Sequence, residues 1–294
     1  MMKKIKSAMR VKEIEFAFRC PICHHPLIVD DLRMMVCAKR HTFDFSKQGY
    51  VNLLTRQINS QYTKELFEAR RKIICETELY GKMHQLIASI IEEHFDNTLK
   101  ANDRQSQMFL VDIGCGEGSH LHKIVENCKL KASGIGLDIA KEAILMAAKR
   151  HDELIWLVGD LANTPFADQT FHVILNILSP SNYDEFKRIV AEKGIVIKVV
   201  PRTEYLKELR QTLFKGQEKS IYQNDKTISL FKDHFRTVEV SNIRYCKKLK
   251  KEELKNLVEM TPLAWTADQQ RIESFVNQEM SEITIDLDLL VGVV

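Results

Sequence analysis

"MFLVDIGCGEG" runs from Met108 to Gly118. It is an apolar run that closes on an acid and then opens into glycines at alternate positions. An unbroken apolar run of this length suits a strand covered on both faces. Gly114, Gly116 and Gly118 suit a sharp turn in which backbone passes close to a ligand before a helix begins. Twenty residues beyond Gly118, a second run, "GIGLDIA" (134–140), carries Asp138. In a doubly wound sheet a carboxylate at that position lies over the crevice and hydrogen-bonds a ribose. Working outward, the pattern repeats in "LIWLVGD" (154–160), "HVILNIL" (172–178), "GIVIKVV" (194–200), "TVEVSNIRY" (237–245) and the tail "EITIDLDLLVGVV" (282–294). Segments of helical composition such as "KEAILMAAKR" and "YDEFKRIVAEK" stand between the runs. Apolar strands alternating with helices predict an α/β fold with a mostly parallel, seven-stranded sheet covered on both faces.

The loop also says something about its ligand. Its spacing departs from the G-x-G-x-x-G that seats a pyrophosphate on a helix N-terminus, and it is acidic, with Asp112 and Glu117. Acids repel phosphate and suit a cation. S-adenosylmethionine has an amino group, a sulfonium and no phosphate. A further acid, Asp160, closes the third run at "VGDLANTPF", where adenine is expected.

A second cluster lies upstream. "CPICHHPLIVDDLRMMVCAKRH" (20–41) holds Cys20, Cys23, Cys37 and His41 at C-x2-C-x13-C-x3-H spacing. Two such knuckles complete a tetrahedron around zinc, with His24 and His25 also within reach as the fourth ligand. The chain has seven cysteines, an odd number with four scattered singly, which points away from a disulfide framework and toward a reducing compartment. No apolar run approaches the ~18 residues of a membrane span, and the basic start lacks the apolar region of a secretory signal. The expectation is a cytoplasmic protein without a membrane partner.

The 294 residues, 45% hydrophobic and 28% charged, suit more than one unit. Three segments are expected: a zinc-binding β module over 1–54, a helical connector and linker over 55–107, and an S-adenosylmethionine-binding domain over 108–294. The linker proper is "NTLKANDRQSQ" (97–107). Within residues 1–50, ten Lys and Arg stand against five Asp and Glu, while the rest of the chain is slightly acidic. The positive field therefore belongs to the cysteine module, where an anionic polymer is first felt.

Taken together, "CPIC…CAKRHTFDFSKQGYVNLL", "VDIGCGEG", "GLDIAKEAILMAAKR" and "MTPLAW" resemble the bacterial 23S ribosomal RNA guanine-N1 methyltransferases, which are class I, Rossmann-like enzymes. "LSPSNYDEF", "GIVIKVVP" and "EITIDLDLLVG" resemble most the Gram-positive and tylosin-resistance branch. The resemblance runs from about Phe16 to the end. It implies S-adenosylmethionine and zinc as cofactors, His41 as the fourth zinc ligand, and Tyr80 and Tyr205 as further cofactor contacts. Relatives often have histidine where Tyr205 stands. It also implies a homodimer with paired zinc modules on the RNA, and a target guanine in hairpin 35 of domain II, near the macrolide site.

Methyl transfer to a ring nitrogen needs positioning more than Lewis-acid help, so the zinc is expected to be structural. The fourth run ends in "NILSPSNY", where this fold places its target. Asn176 as a hydrogen-bonding group and Tyr183 as a stacking platform are the catalytic candidates, beside Ser179 and Pro180, the proline shaping a rigid lip. Two other functions compete: a small-molecule methyltransferase, which needs no basic zinc module, and a zinc-bearing RNA-binding protein whose methyltransferase domain is inactive.

Overall fold

In a computed structural model of the chain, residues 2–56, 62–98, 107–217 and 224–294 are described. The expected linker at 97–107 therefore lies largely outside the described residues. The N-terminal basic segment is a helix, α1 (Met2–Glu13). After it come three short antiparallel strands, β1 (Leu27–Asp30), β2 (Met34–Cys37) and β3 (Thr42–Asp44). They bring the two cysteine knuckles to one end of a small sheet.

The seven strands expected in the large sheet are all present: β5 (Met108–Ile113), β6 (Ala132–Asp138), β7 (Ile155–Val158), β8 (Phe171–Ile177), β9 (Val190–Pro201), β10 (Arg236–Lys250) and β11 (Met280–Val293). Among the described residues the sheet nevertheless has eight. The extra strand is β4 (Val51–Asn52), two residues from the N-terminal segment that pair in parallel with β7, Val51 against Leu157. The order is β10-β11-β9-β8-β5-β6-β7-β4. Pairs from β9 to β4 are parallel, while β11 runs antiparallel between β9 and β10. A two-residue strand has no apolar periodicity to betray it; its pairing follows from the fold of the module that precedes it.

The helices are α2 (Lys64–Arg71), a π-helical turn (Lys72–Glu76) and α3 (Gly81–Thr98) ahead of β5, then α4 (Ser119–Asn127), α5 (Lys141–Arg150), α6 (Tyr183–Ile189), α7 (Lys207–Leu213), α8 (Asp225–His234), α9 (Lys251–Met260) and α10 (Gln269–Val276). They cover both faces of the sheet. One core joins α3 (Met83, Ile87, Ile91) to the sheet through Leu110, Leu175 and Ile197. The other joins the cysteine module to the opposite face: Phe18, Leu27, Met35 and Phe43 share it with Phe166, Phe171 and Phe186. The backbone N–H of Arg19 donates to the Pro165 carbonyl at 3.0 Å, and Asn163 Nδ2 donates to the Pro21 carbonyl at 2.9 Å. The module is fused to the sheet by packing and by β4.

Strand order reverses at β5, which has β6 on one side and β8 on the other. The crevice beyond the carboxyl ends of these strands is where such sheets take their ligands.

Candidate active site and metal centre

Each glycine of the loop after β5 meets a different neighbour. At Gly114 a Cβ would stand 2.4 Å from Ser179 Oγ, and at Gly116 it would stand 3.0 Å from the Arg70 guanidinium. Both residues line a cavity of about 190 Å³, together with Tyr62, Phe67, Leu137, Asp138, Gly159 and Leu161. Gly118 turns the other way. Its Cβ would stand 2.3 Å from the ring of buried Trp156, so this glycine serves packing rather than ligand approach.

Around the glycine loop lie the acids Asp112, Glu117 and Asp138 and the Arg70 guanidinium; Asp138 and Arg70 line the cavity, while Asp112 and Glu117 are buried behind it. Asp138 Oδ2 accepts from the Gly116 N–H at 2.7 Å and Oδ1 from the Ala140 N–H at 2.8 Å, which fixes the loop to the end of β6. Asp112 and Glu117 are both about 1% exposed. Among the described residues, neither Asp112 Oδ1 nor either oxygen of Glu117 has a hydrogen-bond donor. Burial pushes the Asp112 carboxyl up to about 8. Arg70 Nε approaches Glu117 to 3.4 Å; burial opposes its charge, but Glu117, Asp138 and Asp112 outweigh that and hold it cationic. One guanidinium against three buried acids leaves room for a further cation, and orphaned carboxylate oxygens are costly without one. The residues fit a ligand with an ammonium and a sulfonium. Asp160 flanks the cavity between the lining residues Gly159 and Leu161. It caps Ala162 N–H at 2.9 Å and pairs with Arg56 at 3.4 Å.

Across a wall formed by Leu178, Ser179 and Pro180, a second cavity opens, of about 690 Å³. Arg70 borders both. The volume falls within the range of ligand pockets, about 300–1,000 Å³. Tyr80 and Tyr205 meet on its side, hydroxyl to hydroxyl at 2.6 Å, and both are buried. His120, edge-on to Tyr80, also lines it and is tied through Nδ1 to His84 Nε2 at 2.8 Å. Burial lowers both imidazoles, His84 to about 4, so the pair is neutral.

Tyr183 lines the large cavity from the start of α6, its ring set among Phe186, Phe231, His234 and Phe235. Asn182 starts that helix by accepting from the Glu185 N–H at 3.2 Å. Asn176 lies beneath the wall and lines neither cavity. Fully buried, its Nδ2 donates to the carbonyls of Ile113 and Pro180 at 2.9 and 2.8 Å, while its Oδ1 accepts from Lys198 Nζ at 2.6 Å. The structure thus brings together Asn176, Ser179 and Lys198. Sequence reasoning misses the last, although a lone lysine inside the apolar run "GIVIKVV" is a visible signal. It misses Arg70 too, whose helix reads as an ordinary amphipathic one.

In the cysteine module, the ligand atoms of Cys20, Cys23, Cys37 and His41 all lie within 4.8 Å of one another. Cys23 Sγ is 3.5 Å from Cys37 Sγ, and His41 Nδ1 is 3.5 Å from Cys20 Sγ and 3.4 Å from Cys37 Sγ. The edge of a tetrahedron with Zn–S of ~2.3 Å is ~3.7 Å, close to these spacings. His25 is turned away and bonds the Cys23 carbonyl at 2.9 Å. Each knuckle closes through a residue with left-handed backbone, His24 (φ 58) and Arg40 (φ 62), and neither is glycine. His24 N–H donates to the Cys20 carbonyl and Arg40 N–H to that of Cys37, at 2.9 and 2.8 Å.

Residues 18–59 match the family model of the RlmA N-terminal zinc ribbon, and residues 110–198 match a methyltransferase domain. YxjB of Bacillus subtilis (strain 168), named as a candidate 23S rRNA (guanine-N(1)-)-methyltransferase, is 37% identical over 285 residues, or 96% of this chain and 99% of the relative. The chain belongs to the 23S rRNA (guanine-N1)-methyltransferase family. A second member, the 23S rRNA (guanine(748)-N(1))-methyltransferase of Streptomyces fradiae, is 29% identical over 89% of this chain and 90% of its own. Among solved structures, phosphoethanolamine N-methyltransferase 2 of Haemonchus contortus, in complex with S-adenosylhomocysteine, matches at a TM-score of 0.47 and 14% identity. That match covers 80% of this chain and 58% of the other, and it is a likeness of fold alone. Family membership makes S-adenosylmethionine the cofactor of the methyltransferase domain and zinc the metal of the ribbon. Among the described residues, no helix is long and apolar enough to cross a membrane.

Proposed function

We propose that this enzyme methylates N1 of a guanine in the hairpin-35 region of domain II of 23S ribosomal RNA. The observation that carries the reading is the pair of cavities meeting at Leu178–Pro180. The smaller is bounded by the glycine loop and Asp138. The larger has room for a base and is walled by Tyr183, Tyr205 and basic side chains.

S-adenosylmethionine, when bound, supplies the electrophilic methyl group. This chain's residues then position it. Asp138 takes the ribose hydroxyls, Asp112 and Glu117 face the cationic end, and Asp160 lies toward the adenine. The Tyr80–Tyr205 hydroxyl pair lines the side of the large cavity, on the base's side of the wall. N1 lies on the Watson–Crick edge, so the guanine must be unpaired or flipped into the large cavity, where Tyr183 offers a ring. Asn176 acts through the wall that it ties down and is a positioning residue.

Cys20, Cys23, Cys37 and His41 would give a zinc four protein ligands and no open position for water, which makes the site structural. It holds a surface on which Arg33, Lys39, Arg40 and Lys47 are exposed, suited to phosphates. The family resemblance adds a homodimer with paired ribbons on the RNA, which sedimentation of the pure protein tests. It also adds altered macrolide sensitivity of the cell, read by comparing strains with and without the gene.

The decisive experiment incubates the enzyme with tritiated S-adenosylmethionine and 23S RNA from a strain lacking it, followed by primer extension. The expected result is label in large-subunit RNA and a reverse-transcriptase stop in hairpin 35. Label absent from that RNA would refute the reading.

A further inference from the structure

Lys198 is a charged side chain in the wrong place for a charge. It lies in the middle of β9, is about 3% exposed, and borders the large cavity. Among the described residues no carboxylate pairs with it, and none lines the cavity. Its neighbours there are cations or neutral groups: Arg70 from α2, Tyr80 ahead of α3, His120 of α4, Tyr183 of α6, Tyr205 and Arg210 around α7, and solvent-exposed Lys226 of α8. From the flanking strands it faces Asn176 of β8 and Leu290 of β11. Nζ donates at 2.6 Å to Asn176 Oδ1 and at 2.6 Å to Ser181 Oγ. The third approach, to the Ser179 carbonyl, is only 3.3 Å. Two positions of the nitrogen are thus firmly held and the third is weakly engaged.

We infer that Lys198, as its neutral amine, is the base that takes the N1 proton of the target guanine. The inference rests on the proposed guanine-N1 chemistry and deepens it. Two N–H bonds to fixed oxygens hold the amine, and its lone pair, repelled by the Ser179 carbonyl at 3.3 Å, turns instead toward the cavity that Lys198 borders. The alternatives on the cavity wall serve less well. Arg70 and Arg210 are poor bases because guanidinium does not give up its proton. The two tyrosine hydroxyls are spent on each other, and burial makes them weaker acids still. His120 is engaged with His84. Burial without a counter-charge brings the Lys198 ammonium down to about 8, and a base poised near the working pH is the most effective kind.

The step balances. Guanine N1 forms its bond to the methyl carbon as the carbon–sulfur bond breaks, with that bond's electron pair left on sulfur. The N1–H bond gives its pair to the ring nitrogen and its proton to Nζ. The products are a neutral methylguanine, a neutral thioether and an ammonium at Lys198, which returns its proton to solvent before the next turnover.

The test is single-turnover methylation of domain II RNA across about pH 6 to 10, a range that spans the lysine's titration, with wild type, Lys198→Arg and Lys198→Met. Wild-type rate should rise and level above about pH 8. Both variants should lose about 10²- to 10⁴-fold at neutral pH, the usual contribution of a general base. They should keep S-adenosylmethionine affinity and keep gaining rate at high pH, where guanine ionises unaided. Lys198→Arg with near wild-type rate would overturn the inference, because a cation and not a base would then be needed. Equal loss at every pH would overturn it in favour of a positioning role. Should either variant fail to fold, the wild-type profile alone decides: a rate without a plateau near pH 8 refutes the base. A wild type that leaves large-subunit RNA unlabelled sinks the parent proposal instead, which separates the two failures.

Discussion

Replacing Gly118 by alanine puts a methyl group where the structure has no room for one. The added Cβ would stand 2.3, 2.7 and 3.0 Å from three atoms of the Trp156 ring. That ring cannot swing away: it is buried, its Nε1 donates to the His151 carbonyl at 2.7 Å, and Gly136 of β6 packs so closely on it that a Cβ there too would stand 2.3 Å from the ring. The indole is a slab held between two glycines. Two costs follow. The backbone at 118 is left-handed (φ 83), which costs an L-residue ~1–2 kcal/mol. Overpacking a well-filled core adds ~1–3 kcal/mol. Gly118→Ala should therefore lose ~2–5 kcal/mol in urea unfolding. Adding Trp156→Leu should return much of the packing cost, since the obstructing ring is gone, but none of the backbone cost. A Gly118→Ala protein as stable as wild type, with weakened S-adenosylmethionine binding, would show that this glycine faces the ligand and that the packing argument is wrong.

Asp112, pushed up to about 8 by burial, is protonated at neutral pH when no cofactor is present. A cationic ligand favours the ionised form, so cofactor binding should expel a proton and tighten as pH rises, levelling above about 8. Calorimetry in buffers of different ionisation enthalpy reads that proton, and an affinity flat with pH counts against the pairing. Asp138→Ala should weaken S-adenosylmethionine by ~1.5–3 kcal/mol through the missing hydrogen bonds to a charged group, with the larger figure favoured because the same carboxylate anchors Gly116; unchanged calorimetric affinity would show the ribose assignment to be mistaken. Cys37→Ser should cost the zinc by metal analysis and reduce RNA binding. For every phosphate that the basic side chains of the melted ribbon no longer neutralise, the salt dependence should flatten by about one unit or slightly less, while cofactor affinity persists. Wild-type methylation by the zinc-free variant would make the ribbon dispensable.

Much of the fold can be read in advance because a parallel sheet covered on both faces writes its strands as apolar runs, and the run ending at Gly114 also announces the crevice. The three cysteines at knuckle spacing are equally open, while the choice among His24, His25 and His41 needs the fold, which sets His41 Nδ1 beside the thiols. What stays hidden depends on packing between distant segments. Nothing in Val51–Asn52 marks a strand: its partners, Phe45 within the module and β7 a hundred residues on, are set by the fold. Arg70 reaches the acids of the loop from a helix well upstream of the strand that carries them. The pairing of Asn176 with Lys198 needs the register of β8 against β9, and without that register Asn176 reads as a group facing the target base. Gly118 looks like its two neighbours in the motif; only the position of Trp156 tells it apart.

The pairing of β4 with β7 bears on how the chain is made. Val51 leaves the ribosome about a hundred residues ahead of its partner Leu157, and at about 5–20 residues per second that is a wait of ~5–20 s. During that interval the ribbon's apolar side, Phe18, Leu27, Met35 and Phe43, has none of the sheet that later covers it. Zinc adds the largest source of order the nascent segment can draw on alone, beyond its own three-stranded sheet, since metal binding is itself folding free energy for such modules. In a cell short of zinc, the vulnerable moment is thus synthesis rather than catalysis, and the first sign of scarcity should be aggregated new chains beside older molecules that still work.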